Sequence, residues 1–193
     1  MCAKRFKYFR TQRGVSLVEL VIFIVIVGVA VSGVLMVLMQ TTRNSVDPMV
    51  YKQALSIAES LLEEVQLQPF TYCDPDDPAA ATAANPAACA TVENLGPEGA
   101  EDRYGSSGAP FDNVSDYAGY DSASEAPTGI KDITGAAIAN LTAYNASVAV
   151  AQVALGGIAA TETLQITVTV TGPANTLVSL QGYRTRYAPN ALP

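Results

Sequence analysis

The sequence predicts an α+β chain in which a long N-terminal helix, first transmembrane and then amphipathic, packs on a C-terminal antiparallel β-sheet. Three observations predict it. The 25 residues from Val15 to Met39 carry a single charge, Glu19; apolar residues recur at helical spacing from Val50 to Val65; and strict apolar–polar alternation runs from Leu164 to Thr171. The 193 residues divide accordingly into a basic segment 1–14, a span 15–39, an amphipathic half-helix 40–72, an acidic Gly/Pro/Ala-rich loop region 73–142 and a sheet region 143–193.

Charge is segregated along the chain. Residues 1–14 contain Lys4, Arg5, Lys7, Arg10 and Arg13 and no acid, which leaves 6 basic against 18 acidic side chains, a formal −12, for the remainder. A phosphate backbone has to be met by clustered Lys and Arg, so nucleic acid is excluded as the partner of the acidic part. The basic start directly precedes an apolar run and has the sign of a cytoplasmic flank, which places the N-terminus inside and the bulk of the chain outside. The chain has no His and no Trp. That removes His-dependent triads, His-containing zinc sites and imidazole acid–base chemistry.

At about 1.5 Å rise per residue, Val15 to Met39 reach about 37 Å, enough to cross a hydrocarbon core of about 30 Å. A secretory signal fits less well, although Ala30, Ser32 and Gly33 imitate a cleavage site, because its apolar region is typically about 7–15 residues. A carboxylate inside such a span costs about 2.5–3.5 kcal/mol near mid-membrane, and less toward the interface. Glu19 is therefore either near enough to the interface to snorkel or functional. Its setting favours function: Gly14 closes the basic segment, and Glu19 is the fifth residue after it in Val15-Ser16-Leu17-Val18-Glu19-Leu20.

A short basic leader ending in Gly, followed by an apolar helix with Glu at its fifth position, resembles the type IV prepilin family. The resemblance implies that a membrane-embedded prepilin peptidase cuts between Gly14 and Val15 and methylates the new amine of Val15. The first mature residue of the family is most often Phe and is Val here. The role of the acid follows from electrostatics: a cationic Val15 amine in a low-dielectric setting is compensated by Glu19 of a neighbouring chain, each charge being less costly paired than alone. Four residues of helix separate the two groups, about 6 Å, so neighbours pair when staggered, and a staggered repeat is a filament. Gly28, Ser32 and Gly33 offer small surfaces for helix approach.

Beyond the span, Asp47-Pro48 is either an N-cap followed by proline at the first helical position or a proline within one long helix. Val50, Ala54, Ile57, Leu61 and Val65, with Ala58 and Leu62, form one face; Lys52, Ser56, Glu59, Glu63 and Gln66 form the other. This helix is expected to end near Gln68-Pro69 and to cover a sheet. From Val15 to Gln68 it would run about 80 Å if unbroken, a length typical of pilins by resemblance.

Cys73 and Cys89 flank the next segment, and Cys2 lies within the leader. Outside the cytoplasm the pair is expected to form a disulfide, worth about 3 kcal/mol for a loop of this length in the chain-entropy model. Two thiols without His or a further Cys make poor zinc coordination, so no metal is assigned. The stretch Asp74 to Pro78 and the Ala-rich run Ala79 to Ala90 are expected at the surface. From Cys73 to Gly135 there are 7 Gly, 6 Pro and 12 acids against only Arg103 and Lys131, which predicts surface loops with one or two short strands near Asn113 to Tyr120. Acids in Phe111 to Tyr120 are of a type that binds calcium, but the D-x-D-x-D-G spacing is absent, which favours solvated turns.

The final third is β. Tyr144 to Ala154 places Val148 and Val150 in alternation, Leu164, Ile166, Val168 and Val170 alternate with polar residues, Gly172-Pro173-Ala174-Asn175 is a turn, and Leu177 to Tyr187 returns. The tail from Ala188 to Pro193 is expected to be loose.

No nucleophile–base pair, phosphate-binding Gly loop or metal cluster is visible, so no enzymatic activity and no cofactor are expected. The resemblance implies a pilin-like structural subunit that waits in the inner membrane, loses its leader and joins a periplasmic or cell-surface filament through contacts with other pilin subunits. Residues 14–20, Asp47-Pro48 and Ala54 to Val65 look like minor pilins of the mannose-sensitive haemagglutinin (MSHA) pilus, D-type. A minor pseudopilin of a type II secretion system has the same first half. A different class is a single-span anchored periplasmic binding domain that never polymerises.

Overall fold

A computed structural model of the chain describes residues 14–192, with the side chains of 40–47 outside the description. Of the basic segment 1–14, only Gly14 falls among the described residues; Cys2 lies outside them. The chain divides into two compact units, Met1–Val46 and Asp47–Pro193.

Helix α1 runs Leu17–Leu67 with Pro48 in its interior. Of the two readings of Asp47-Pro48, the structure has the proline within one helix. A proline there removes one intrahelical hydrogen bond, which a long helix supported by packing over its following turns tolerates. Ala54, Ala58, Leu61 and Val65 are buried, whereas Lys52, Ser56, Glu59 and Glu63 are exposed. The 3.6-residue period thus becomes one buried stripe.

The sheet is a three-stranded antiparallel meander of β1 (Asn145–Gln152), β2 (Thr163–Gly172) and β3 (Thr176–Thr185), in that spatial order. Val168 of β2 faces Val148 on one side and Leu180 on the other. Leu164, Ile166, Val168 and Val170 are fully buried while their polar neighbours face outward, so the central strand has one core face and one wet face. The core joins the stripe of α1 to this face, with Phe70, Val114, Tyr117 and Tyr144 closing it. The fold class is α+β, as the alternation and the helical period require.

Region 73–142 departs from the sequence expectation. No strand of the sheet lies near Asn113 to Tyr120; Ser115–Tyr117 is a single turn of 3-10 helix. The reason is local: the Asp116 Oδ2 accepts the backbone N–H of Asp112 at 2.9 Å and of Asn113 at 2.7 Å and so bends the chain back on itself. Only after Gly119, at φ +89°, does the segment straighten and hydrogen-bond to the edge of β1 through Gly119, Tyr120 and Ser122. The Ala-rich run also differs: Ala80 and Ala83 are buried against Cys73 in a second small core. Asp77 is buried too, because its carboxylate accepts from the backbone N–H of Ala79 and Thr91. Asn190 donates from Nδ2 to the carbonyls of Ala80 and Ala83, at 2.8 and 3.0 Å, which ties down the tail that composition alone leaves loose.

Candidate functional site

Gly14, Val15 and Ser16 are non-helical, and α1 begins at Leu17. The first intrahelical closure is the N–H of Leu20 donating to the carbonyl of Ser16 at 3.0 Å. Glu19 lies in the first turn of α1, where a carboxylate meets the positive end of the helix dipole. It is exposed, and no ion pair between described residues includes it.

Leu17–Met39 is long and apolar enough to cross a membrane, and none of it is buried within the chain. Phe23, Ile24 and Ile26 are each about 60% exposed (62%, 60% and 62%). So large an apolar cylinder needs a cover of lipid or of other apolar helices. A Cβ on Gly28 or Gly33 would meet nothing within 4 Å, so both are flat places on that cylinder. Ser32 satisfies its hydroxyl internally, on the carbonyl of Gly28 at 2.6 Å. The structure therefore sets Val15 and Glu19 together at the start of one uncovered apolar rod.

In the second unit, the disulfide Cys73–Cys89 closes the segment between them, with Cα atoms 5.3 Å apart. Three cations make contacts to which sequence reasoning gave no role: one joins the loop region to α1, one pairs within the loop region, and one joins the end of β3 to the segment after α1. Arg103 makes a bidentate pair with Glu64 of α1, at 2.7 and 2.6 Å, and the hydroxyl of Tyr117 donates to the same carboxylate at 2.9 Å. Burial, and then the Glu64 charge, push the Tyr117 phenol up, which keeps it a donor. Lys131 pairs with Glu125 at 3.0 Å. Arg186, just beyond β3, lies 3.9 Å over the ring of Phe70 and 4.7 Å from that of Tyr72 while pairing with Glu162. A signal for Arg103 and Lys131 was present: they are the only cations in a stretch of 12 acids.

The family described as the prokaryotic N-terminal methylation motif matches residues 9–35, which takes in the end of the basic segment, Gly14, Glu19 and most of the span. This match supports a type IV prepilin-like N-terminal segment with a membrane-anchoring helix. No curated protein and no solved structure matches the chain.

Proposed function

We propose that this chain is a minor type IV pilin-like structural subunit, cut between Gly14 and Val15 by a prepilin peptidase, methylated on the Val15 amine and assembled through α1. The observation that carries the reading is a 23-residue apolar span, exposed among the described residues, that has Glu19 in its first turn and lies largely within a matched methylation motif. A subunit waiting in the inner membrane covers that span with lipid. A subunit in a filament covers it with neighbouring copies of the same kind of helix, and the Glu19 carboxylate then faces the Val15 amine of a chain displaced by about one helical turn. The MSHA-type minor pilin is the finer assignment, supported by residues 14–20 and the Ala54 to Val65 helix. A type II secretion minor pseudopilin uses the same segment. The lack of a His residue and the structural character of the motif favour a structural role over an enzymatic one.

Mass spectrometry of the mature N-terminus tests the reading. A chain beginning at N-methylated Val15 is expected; an intact leader in cells with active processing machinery would refute it and favour the anchored, non-polymerising domain. Glu19→Ala is expected to leave leader removal largely intact and to deplete the subunit from sheared filaments. Normal amounts of the variant in those filaments would sink the pairing argument.

A further inference from the structure

Three segments of the second unit meet where acid touches acid. The N–H of Glu93 donates to the Tyr72 carbonyl at 3.1 Å, which holds Glu93 beside the segment that follows α1. The N–H of Gly96 donates to the Ser115 carbonyl at 3.0 Å and so brings the chain after Glu93 against the 3-10 turn. Asp116 of that turn is 1% exposed, and its Oδ2 takes the backbone N–H groups of Asp112 and Asn113. Its Oδ1 and both carboxylate oxygens of Glu93 are buried without a donor. The Asp116 carboxyl is nevertheless in side-chain hydrogen-bond contact with Glu93, and with Glu98. Two ionised carboxylates have no hydrogen to share, so such a contact is a hydrogen bond only when one of them is protonated.

The surroundings decide which one. Two N–H groups favour the ionised form of Asp116, whereas Glu93 receives none. The Ser115 hydroxyl next to Glu93 already donates to Asn113 Oδ1 at 3.1 Å. Glu98, which accepts the Asn94 N–H at 2.9 Å, and Glu101 add negative charge around the pair. From the end of β3, Arg186 feels the Glu93 charge, but it is paired with Glu162 and bonded to the Thr161 carbonyl. Burial, and then the Asp116 charge, push the Glu93 carboxyl well above the usual carboxylate range. Burial raises Asp116 too, against the pull of its two N–H groups.

We propose that Glu93 is protonated at neutral pH and donates its proton to the Asp116 carboxylate, forming a proton-operated latch between the segment after the disulfide loop and the 3-10 turn. Loss of that proton sets a second buried negative charge against the first, and the two segments part. The pair titrates as a unit, as carboxyl groups in contact do. A cation would have to part the two carboxyls to reach both, whereas a shared proton requires them to touch. The latch stands independently of the filament reading.

The test uses the full chain in neutral detergent, with its disulfide intact and a chelator present to remove divalent cations. Infrared spectroscopy at about pH 7 reads the carbonyl stretch of protonated carboxyl groups, which carboxylates lack. The parent is expected to show this band and Glu93→Gln to lose it, with unchanged far-ultraviolet circular dichroism. Heavy-isotope labelling of glutamate side-chain carboxyls is expected to shift the band in the parent itself, which keeps the test decisive where the variant fails to fold. Urea unfolding gives a second readout. Because the folded value of Glu93 lies above its unfolded value near 4.5, the stability from the latch is full below 4.5 and is lost as pH rises through the folded value. The parent midpoint is expected to fall between about pH 5 and about pH 9. That of Glu93→Gln, whose amide donates to Asp116 at every pH, is expected to fall by less than about half as much. Asp132→Asn, in a separate turn, is expected to keep both the band and the fall. A parent without the band overturns the proposal, as does a band that glutamate labelling does not shift or that persists in Glu93→Gln. An equal fall in parent and Glu93→Gln overturns it too. So does loss of the parent's band when calcium chloride at about 10⁻³ M replaces the chelator, because the pair then takes a cation instead.

Discussion

Asp102 accepts four hydrogen bonds at the surface: from the Ser106 hydroxyl at 2.6 Å and from the backbone N–H groups of Tyr104, Ser106 and Ser107 at 2.9, 3.1 and 3.2 Å. These bonds, the Ser106 hydroxyl first, hold its carboxyl down at about 2. A carboxylate whose folded value is depressed contributes stability that is present above its unfolded value near 3.8 and is lost as pH falls through about 2. Asp102→Asn is therefore expected to lower the urea midpoint at pH 7, with the gap from the parent closing between about pH 4 and pH 2. Parallel unfolding curves of the full chain in detergent at the two ends of that window check it, and an equal deficit at both ends would contradict it. The fork of Arg103 on Glu64 and the stack of Arg186 on Phe70 show the same economy of position. The first ties a loop residue to α1, 39 residues away, and the second ties the end of β3 to the segment just after α1.

At the scale of elements, the decisive contact is between α1 and the sheet. Ala54 and Ala58 are fully buried on the stripe of α1 and belong to the same core cluster as the inner face of the sheet. A close approach occurs at Gly182, where an added Cβ would run into the side-chain amide of Gln66 and come within 3.1 Å of Leu62 Cδ1. Gly182 thus serves packing, not a positive φ. The Gln66 amide is the far end of a flexible chain and can swing outward, so Gly182→Ala is expected to cost little. Gly182→Val adds volume that the Leu62 side must absorb and is expected to cost about 1–3 kcal/mol. Chemical denaturation of both variants measures the difference; a Val variant as stable as the parent would mean the strand shifts without resistance.

The chain consists of one unit whose described apolar residues are exposed and a second unit with its own core. The second unit stays ordered around a loop region rich in acids because that region is fastened by Cys73–Cys89, by the pairs of Arg103 and Lys131, and by Asn113 donating to Thr71 at 2.7 Å. Replacing both Cys73 and Cys89 with Ser is expected to destabilise the second unit by about 3 kcal/mol, mostly by loosening its unfolded state. Unfolding of the oxidised parent beside the double variant reads this directly, and equal midpoints would assign the fastening to the ion pairs instead.

Particular residues show which features were legible in the sequence. The buried stripe of α1 and the alternation of β2 were, because each is a local period set by 3.6 or 2 residues per repeat. The apolar span was too, because length and composition suffice to define it. The burial of Ala80 and Ala83, the turn at Ser115–Tyr117, the anchored Asn190 and the meeting of Glu93, Glu98 and Asp116 were not. The turn rests on the Asp116 carboxylate bonding to nearby N–H groups, which has no period, and the others depend on separated groups being brought together, as when Asn190 reaches a carbonyl 110 residues earlier. By itself, then, the sequence determined where the chain is apolar, where it is helical or extended, and where the one charge of its apolar span falls. Tertiary structure alone decided which acids share a buried space and which cations clasp the loops, because loop closure carries no periodic signature and is settled only by the contacts that offset its entropy.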